Sequence, residues 1–166
     1  MYFENQDKDI NVYNLGICGD TTTDLLNRFE NESLARHPDV IIFGIGTNDS
    51  QIKISENKSK NTPDQFKENI QKLTQVARKF TDNVIFIGLT LVDENRTNPW
   101  KPDKSYLNNR IDELNQVLKN HCQAENLKFI SMNRVIDADD LEDGLHPNSA
   151  GHKKMFQKII KEISLG

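Results

Sequence analysis

Short apolar runs alternate along this chain with segments whose apolar residues recur every three or four positions. A short apolar run bounded by glycine or polar residues is typical of a strand, and the longer spacing predicts a helix with one apolar face. The predicted strands cover residues 12–17, 40–45, 84–89 and 128–130, and the predicted helices cover residues 21–30, 62–80, 107–118 and 149–163. This alternation favours an α/β fold, a three-layer α/β/α sandwich around a parallel sheet.

The second predicted helix has the clearest start, because Thr62 offers a capping oxygen and Gln65 stands at the capping-box position. The runs at 40–45 and 84–89 are continuously apolar, which is typical of strands covered on both faces. Loops are predicted at residues 93–104 and 137–147.

Composition restricts the class of protein. The chain has 166 residues, which suits a single domain over 1–166, and its 21 basic and 25 acidic residues give a net charge of -4. That balance argues against a nucleic-acid partner, and no apolar run is long enough for a membrane span. Cys18 and Cys122 are too few for a disulfide scaffold and lack metal-ligand spacing. No signal peptide is recognisable, so a cytoplasmic location is expected, and the oligomeric state stays open.

Polar residues follow the predicted strands at the edge where an open parallel sheet binds ligands. Gly19 follows the first strand, Asn48 follows the second, and Asp143 with His146 lies in the acidic loop before the last helix. The three-residue spacing can place the Asp143 carboxylate on one imidazole nitrogen and leave the other free as a general base. Gly19 and Asn48 can donate a backbone and a side-chain N–H to an oxyanion.

Each of these features also has a purely structural interpretation. Glycine, asparagine and aspartate are what any turn between a strand and a helix favours. Asp143 can be a helix-capping residue, and His146 a surface histidine. Taken singly the two interpretations of the Asp143 and His146 pair are balanced, whereas all three loops on one edge favour a catalytic site.

Three segments together resemble the SGNH hydrolases, also called GDSL esterases and lipases. Asn-Leu-Gly-Ile-Cys-Gly-Asp-Thr at 14–21 resembles the second block of that family, Gly-Thr-Asn-Asp at 46–49 the third, and Asp-Gly-Leu-His-Pro at 143–147 the last. The resemblance implies a flavodoxin-like sheet with strand order 2-1-3-4-5. It also implies hydrolysis of esters or thioesters, small-molecule substrates, through a serine acyl-enzyme that needs neither metal nor cofactor.

The resemblance also implies a role for each matching residue. Gly19 and Asn48 correspond to oxyanion-hole donors, and Asp143 and His146 to two members of the catalytic triad. One departure is large: the family's first block, a Gly-Asp-Ser that carries the nucleophile, occurs nowhere in the chain, and Gly19-Asp20 is followed by Thr21. The nucleophile is therefore unknown.

The place of the absent block lies upstream of residue 12, and residues 2–5 resemble the end of the helix that would follow its strand. That strand would lie between residues 12–17 and 40–45, where its absence would leave backbone groups unpaired. The sequence leads to the hypothesis of an N-terminally truncated esterase domain. The alternatives are that another segment fills the gap, or that the chain is a non-catalytic binding module on a degenerate fold.

Other reactive residue types have mainly structural interpretations. Cys18 precedes Gly19 and could be a reactive thiol, but a small semi-buried side chain is favoured. Ser50 is expected to be a turn residue and Cys122 a core residue. The remaining candidates are His37 and His121, expected at the surface or a helix end, His152, able to border the site, and Trp100, able to line it or to cover an apolar patch. A metal-dependent phosphoesterase is the weakest alternative, because no ligand cluster is present.

Overall fold

The computed structural model describes residues 10–163. The helices are α1 (Thr22–Leu26), α2 (Phe29–Leu34), α3 (Pro63–Ala77), α4 (Glu94–Thr97), α5 (Asn108–Ala124) and α6 (Ser149–Glu162). The strands are β1 (Ile41–Phe43), β2 (Ile52–Lys53), β3 (Lys58–Ser59), β4 (Val84–Ile87), β5 (Lys104–Ser105) and β6 (Lys128–Ile130). None of the described helices is long and apolar enough to cross a membrane.

The main sheet is parallel and has the order β1-β4-β6. Its central strand β4 pairs with β1 from Ile41 opposite Val84, and with β6 from Ile85 opposite Lys128. Successive side chains of a strand point to opposite faces, so each face of β4 has its own core. Val84, Ile85 and Phe86 are all buried, which confirms the prediction of a strand covered on both sides.

Helices cover both faces of this sheet, as the three-layer prediction requires. On one face α3 and α5 pack against each other, and Phe43 and Phe86 lie in the same apolar cluster as the fully buried Ile70 of α3 and Leu114 of α5. On the other face Ile85 belongs to a smaller cluster covered by α6. The fold is a three-layer α/β/α sandwich, and its larger core lies on the α3 and α5 side.

Helix α3 begins where the sequence predicts it. The Thr62 side chain accepts a hydrogen bond from the Gln65 backbone, and the Gln65 side chain accepts one from the Thr62 backbone. This reciprocal pair satisfies two backbone donors that the helix itself leaves unpaired.

A second, antiparallel sheet of order β3-β2-β5 was not predicted from the sequence. Its strands are two residues long, so they carry no periodicity that could distinguish them from loop. Ser105 of β5 is buried and Lys104 beside it is exposed, so the small sheet has one inner and one outer face. Strand β5 begins at the last residue of the predicted 93–104 loop, and its pairing with β2 fixes that end of the loop.

The predicted strand at residues 12–17 is wrong. The segment forms no strand in the described structure, and Val12, Tyr13 and Ile17 are 43%, 60% and 55% exposed. A strand needs a hydrogen-bonded neighbour for its backbone groups, and within residues 10–163 the segment pairs with none. The outer edge of β1 is likewise unpaired in the described part of the chain.

Two further expectations need correction. Ile42 of β1 is 44% exposed, so this strand is covered on one face rather than on both as predicted. The helix predicted at residues 21–30 is divided into α1 and α2, which are separated by Asn27 and Arg28. The helix end expected at residues 2–5 lies outside the described residues, and the single domain with a truncated N-terminus stays a prediction.

Candidate active site

Asp143 and His146 form a hydrogen-bonded pair in the loop before α6. Asp143 Oδ2 lies 2.9 Å from His146 Nδ1. Its other oxygen accepts the backbone N–H groups of Leu145 at 3.1 Å and His146 at 2.8 Å. The spacing of three residues therefore produces a closed turn in which one carboxylate holds both the backbone and the ring of the histidine.

This geometry favours the ionised form of Asp143 and one tautomer of the His146 ring. Partial burial raises the pKa of Asp143, but hydrogen bonds from the His146 backbone, the His146 ring and the Leu145 backbone outweigh it and hold that pKa well below its usual value. The ionised carboxylate accepts the Nδ1 proton and leaves Nε2 as the acceptor. The His146 side chain is 56% exposed. The ring can therefore take a proton from a group that approaches it from solvent.

Trp100 lies against this pair. Its indole Nε1 donates to Asp143 Oδ2 at 3.2 Å, and its ring centroid is 5.8 Å from that of His146 in an edge-on arrangement. The same indole contacts the ring of Tyr106, with centroids 5.6 Å apart. Trp100 thus borders the candidate site and connects the pair of Asp143 and His146 to Tyr106.

Asn48 and Gly19 occupy neighbouring loops. The Asn48 amide donates to the backbone carbonyl of Asp20 at 3.0 Å, which holds the loop after β1 against the loop that contains Gly19. The Tyr106 hydroxyl lies 3.4 Å from Asn48 Oδ1 and 3.1 Å from Gln51 Oε1, and it can donate its one proton to either oxygen. This contact orients the Asn48 amide with its N–H groups away from Tyr106.

Gly19 has a backbone φ of 89°, a left-handed conformation that strongly favours glycine. Its N–H donates no hydrogen bond within residues 10–163.

Burial raises the pKa of Tyr106 to about 12, and the negative charge of Asp143 adds to the effect. Tyr106 therefore stays protonated and is a neutral hydrogen-bond donor within reach of Gln51 and Asn48.

A buried polar network, which sequence reasoning missed, lies directly behind these two loops. Asp49 is fully buried and accepts hydrogen bonds from the Thr22 backbone, the Thr22 hydroxyl and the Asn61 amide. Asn69 of α3 donates to the Thr22 hydroxyl at 3.0 Å. Burial raises the pKa of Asp49, and these hydrogen bonds act in the opposite direction. The network fixes the position of the residue after Asn48 relative to the start of α1.

The cysteine and serine predictions have mixed outcomes. Ser50 is buried and donates to the Thr47 carbonyl at 2.7 Å, which confirms a turn residue, and Cys122 is confirmed as a core residue. Cys18 is exposed, so its interpretation as semi-buried is wrong. Within residues 10–163 the ring of His146 has Asp143 as its hydrogen-bond partner and contacts no hydroxyl or thiol at that distance.

The other histidines lie apart from this pair. His37 and His152 are exposed, as a surface position requires. His121 lies in the last turn of α5, which confirms the helix-end position expected for it; it is buried there, with Nε2 2.8 Å from Thr74 Oγ1. No group of three or more histidine, cysteine, aspartate or glutamate residues that could hold a metal occurs in the described part of the chain.

Comparison with known proteins identifies relatives over most of the chain. The model of the GDSL-like lipase/acylhydrolase family matches residues 3–154. An acetylxylan esterase of Geobacillus stearothermophilus is 26% identical over 165 residues, with 93% of this chain and 72% of that protein covered. A multidomain esterase of Ruminococcus flavefaciens is 28% identical over 127 residues, 76% of this chain. This chain spans only 16% of the multidomain esterase.

Solved structures give the same relationship. The lipase/acylhydrolase of Enterococcus faecalis superposes with a TM-score of 0.71 at 29% identity, covering 87% of this chain and 71% of that one. The Geobacillus acetylxylan esterase superposes with a TM-score of 0.74 at 21% identity, covering 93% and 73%, which supports the fold. Two structures of that enzyme are described as catalytic mutants, one with a histidine and one with a serine replaced by alanine.

Proposed function

The chain belongs to the GDSL-like lipase/acylhydrolase family, and from this premise we propose that it hydrolyses carboxylic esters with Asp143 and His146 as its acid–base pair. The observation that carries the proposal is the 2.9 Å contact between Asp143 Oδ2 and His146 Nδ1. This contact sets the tautomer in which the exposed Nε2 accepts a proton from a nucleophile and later gives it to the leaving alcohol.

We propose a serine as the nucleophile. The chain contains no Gly-Asp-Ser, and in this proposal the serine lies on a segment that pairs with the outer edge of β1, an edge to which no strand of residues 10–163 is paired. The catalytic serine and histidine named for the Geobacillus acetylxylan esterase support this choice. Attack of the serine oxygen on the ester carbonyl would give a tetrahedral intermediate, an acyl-enzyme and the free alcohol. Water activated by His146 would then release the acid.

The oxyanion donors in this proposal are the Gly19 N–H and the Asn48 amide. Two contacts support Asn48: the hydrogen bond to the Asp20 carbonyl, and the Tyr106 hydroxyl on the amide oxygen. Each such donor lowers the barrier of acyl transfer by roughly 3 kcal/mol. The proposed reaction uses small-molecule esters and needs no metal or cofactor, and a cytoplasmic location stays a prediction.

The experiment is a p-nitrophenyl acetate assay on two proteins. The first is the chain itself, and the second carries, before residue 10, the segment of the Geobacillus esterase that contains its catalytic serine. We expect the first to hydrolyse the ester no faster than buffer and the second to turn it over. In the second protein His146→Ala should reduce the rate on the order of 10³-fold or more. The control is His152→Ala, an exposed histidine in the first turn of α6.

Two results would contradict the proposal. Turnover by the chain itself that is insensitive to serine reagents but abolished by His146→Ala would exclude the serine mechanism. A well-folded fusion without turnover would favour the second candidate, a non-catalytic binding module. The observation that favours this second candidate is the absence of Gly-Asp-Ser from the sequence.

A further inference from the structure

Helix α4 lies against the loop that carries Asp143 and His146. The backbone N–H of Asp93, the residue just before α4, donates to the Gly144 carbonyl at 2.8 Å. Gly144 is buried, and a Cβ added to it would lie 2.7 Å from the Cβ of Arg96 and 3.3 Å from the Asp93 carbonyl oxygen. The two backbones therefore meet at the residue that follows Asp143, and the absence of a side chain on Gly144 allows this close approach.

The guanidinium of Arg96 donates hydrogen bonds to three backbone carbonyls of this loop. They belong to Ala138 at 3.0 Å, Leu141 at 3.2 Å and Glu142 at 3.1 Å. Asp93 Oδ2 accepts the Nε–H of the same side chain at 2.8 Å, and this bond lowers the pKa of the Asp93 carboxyl. The planar group is thus held by a carboxylate on one side and directs its remaining donors at the loop, which the point charge of a lysine cannot do.

The loop is closed by bonds of its own, but these bonds do not place it relative to Trp100. The Glu142 N–H donates to the His146 carbonyl at 2.8 Å, and Asp143 Oδ1 accepts the His146 N–H at 2.8 Å. Such local bonds can keep the carboxylate on the imidazole wherever the loop lies. Arg96 connects the loop to the segment of Trp100, because it bonds the residue just before Asp143 and stands four positions before Trp100 in the chain.

We propose that Arg96 is a positioning residue of the candidate site, which holds Asp143 and His146 as a unit against the indole of Trp100. The inference rests on the proposed function, since it adds a residue that acts on the same acid–base pair. The Arg96 side chain is 39% exposed, so its ion pair with Asp93 adds little to stability. Its effect lies in the direction of the three donors that reach the loop.

The test observes Trp100 in the full chain and needs no hydrolysis. The chain contains one tryptophan, so its indole N–H gives a single cross-peak in a proton–nitrogen correlation NMR spectrum. That N–H donates to Asp143 Oδ2 at 3.2 Å. In Arg96→Gln the indole proton should move upfield and exchange with water about tenfold faster. Arg96→Lys should behave in the same way, because lysine keeps the charge but lacks the planar fork.

The matched control is Arg78→Gln. Arg78 is 41% exposed, and like Arg96 it bonds both a carboxylate and a backbone carbonyl, here those of Glu125. These two residues cap the C-terminal ends of α3 and α5. Their bonds do not involve the loop, so the indole resonance and its exchange rate should equal those of the unchanged chain.

The outcomes separate this inference from the proposed function. An unchanged indole signal in Arg96→Gln, an equal change in Arg78→Gln, or full restoration by Arg96→Lys overturns the inference. If Arg96→Gln does not fold, Asp93→Asn decides the question. Asparagine keeps the oxygen that caps α4 but loses the charge that holds the Arg96 Nε, and exchange should be about threefold faster. An inactive fusion refutes only the proposed function, and an unchanged indole signal refutes only this inference.

Discussion

Replacing Asp49 by alanine should destabilise the protein more than a change at any exposed carboxylate. Asp49 is fully buried, and its carboxylate accepts the Thr22 N–H, the Thr22 hydroxyl and the Asn61 amide. Alanine leaves the Thr22 N–H and the Thr22 hydroxyl without this acceptor in a region closed to water, whereas the Asn61 amide keeps the Thr23 hydroxyl at 3.2 Å. Each buried donor left unpaired costs about 1–3 kcal/mol.

For two donors the lower end of that range gives a loss of roughly 2 kcal/mol. The lower end applies because removal of the buried charge recovers part of its own desolvation energy. For a domain of this size, 1 kcal/mol corresponds to about 2–4 °C in Tm, so the expected decrease is roughly 4–8 °C. Asp49→Asn keeps one oxygen and the shape of the side chain, and should lie between alanine and the original protein.

The assay is thermal unfolding followed by circular dichroism, with urea unfolding as the second measurement. Asp112→Ala is the control, because Asp112 is exposed on α5 and alanine suits a helix interior. Its Tm should change by no more than about 2 °C. If Asp49→Ala unfolds within the same interval as this control, the three hydrogen bonds do not hold the loops together and the reasoning is refuted.

Three further predictions concern pH, catalysis and packing. Burial lowers the pKa of His121, so the unfolded chain takes up the proton first; Tm should fall as pH decreases from about 7 to 5, and less so in His121→Gln. In the serine-containing fusion, Trp100→Phe keeps an aromatic ring at this position but removes the indole N–H that is bonded to Asp143. It should lower kcat about tenfold at constant KM, and a change in KM alone would contradict this role. Gly46 has a φ of 131°, and an added Cβ would lie 2.9 Å from a buried phenylalanine ring. Gly46→Ala should therefore cost at least about 2 kcal/mol in urea unfolding, whereas Gly44→Ala, with open space, should cost less than about 1 kcal/mol.

Features determined by neighbours in sequence were predictable. Helix α3 was predicted from its capping residues and apolar spacing, and both are local signals. The contact between Asp143 and His146 was anticipated for the same reason, because a spacing of three residues before a helix already brings the groups together. Strand β4 was recognisable because burial on both faces leaves a continuous apolar run.

Features determined by distant residues were not predictable. Trp100 and Asp143 are 43 positions apart, and Thr22 and Asp49 are 27 positions apart. In each pair the local pattern indicated only a loop or a turn. The strand predicted at residues 12–17 failed for a related reason: its apolar and β-branched residues favour a strand, but strand formation depends on a neighbour that the described chain does not provide.

The segment at residues 100–106 connects the acid–base pair of the proposed site to its oxyanion amide. It carries Trp100, which donates to Asp143, and Tyr106, whose hydroxyl contacts Asn48 and Gln51. The two rings are in contact, with their centroids 5.6 Å apart, so a change that displaces one of them also disturbs the other. The proposed base and the proposed oxyanion donor therefore depend on the same short segment, although they lie in separate loops.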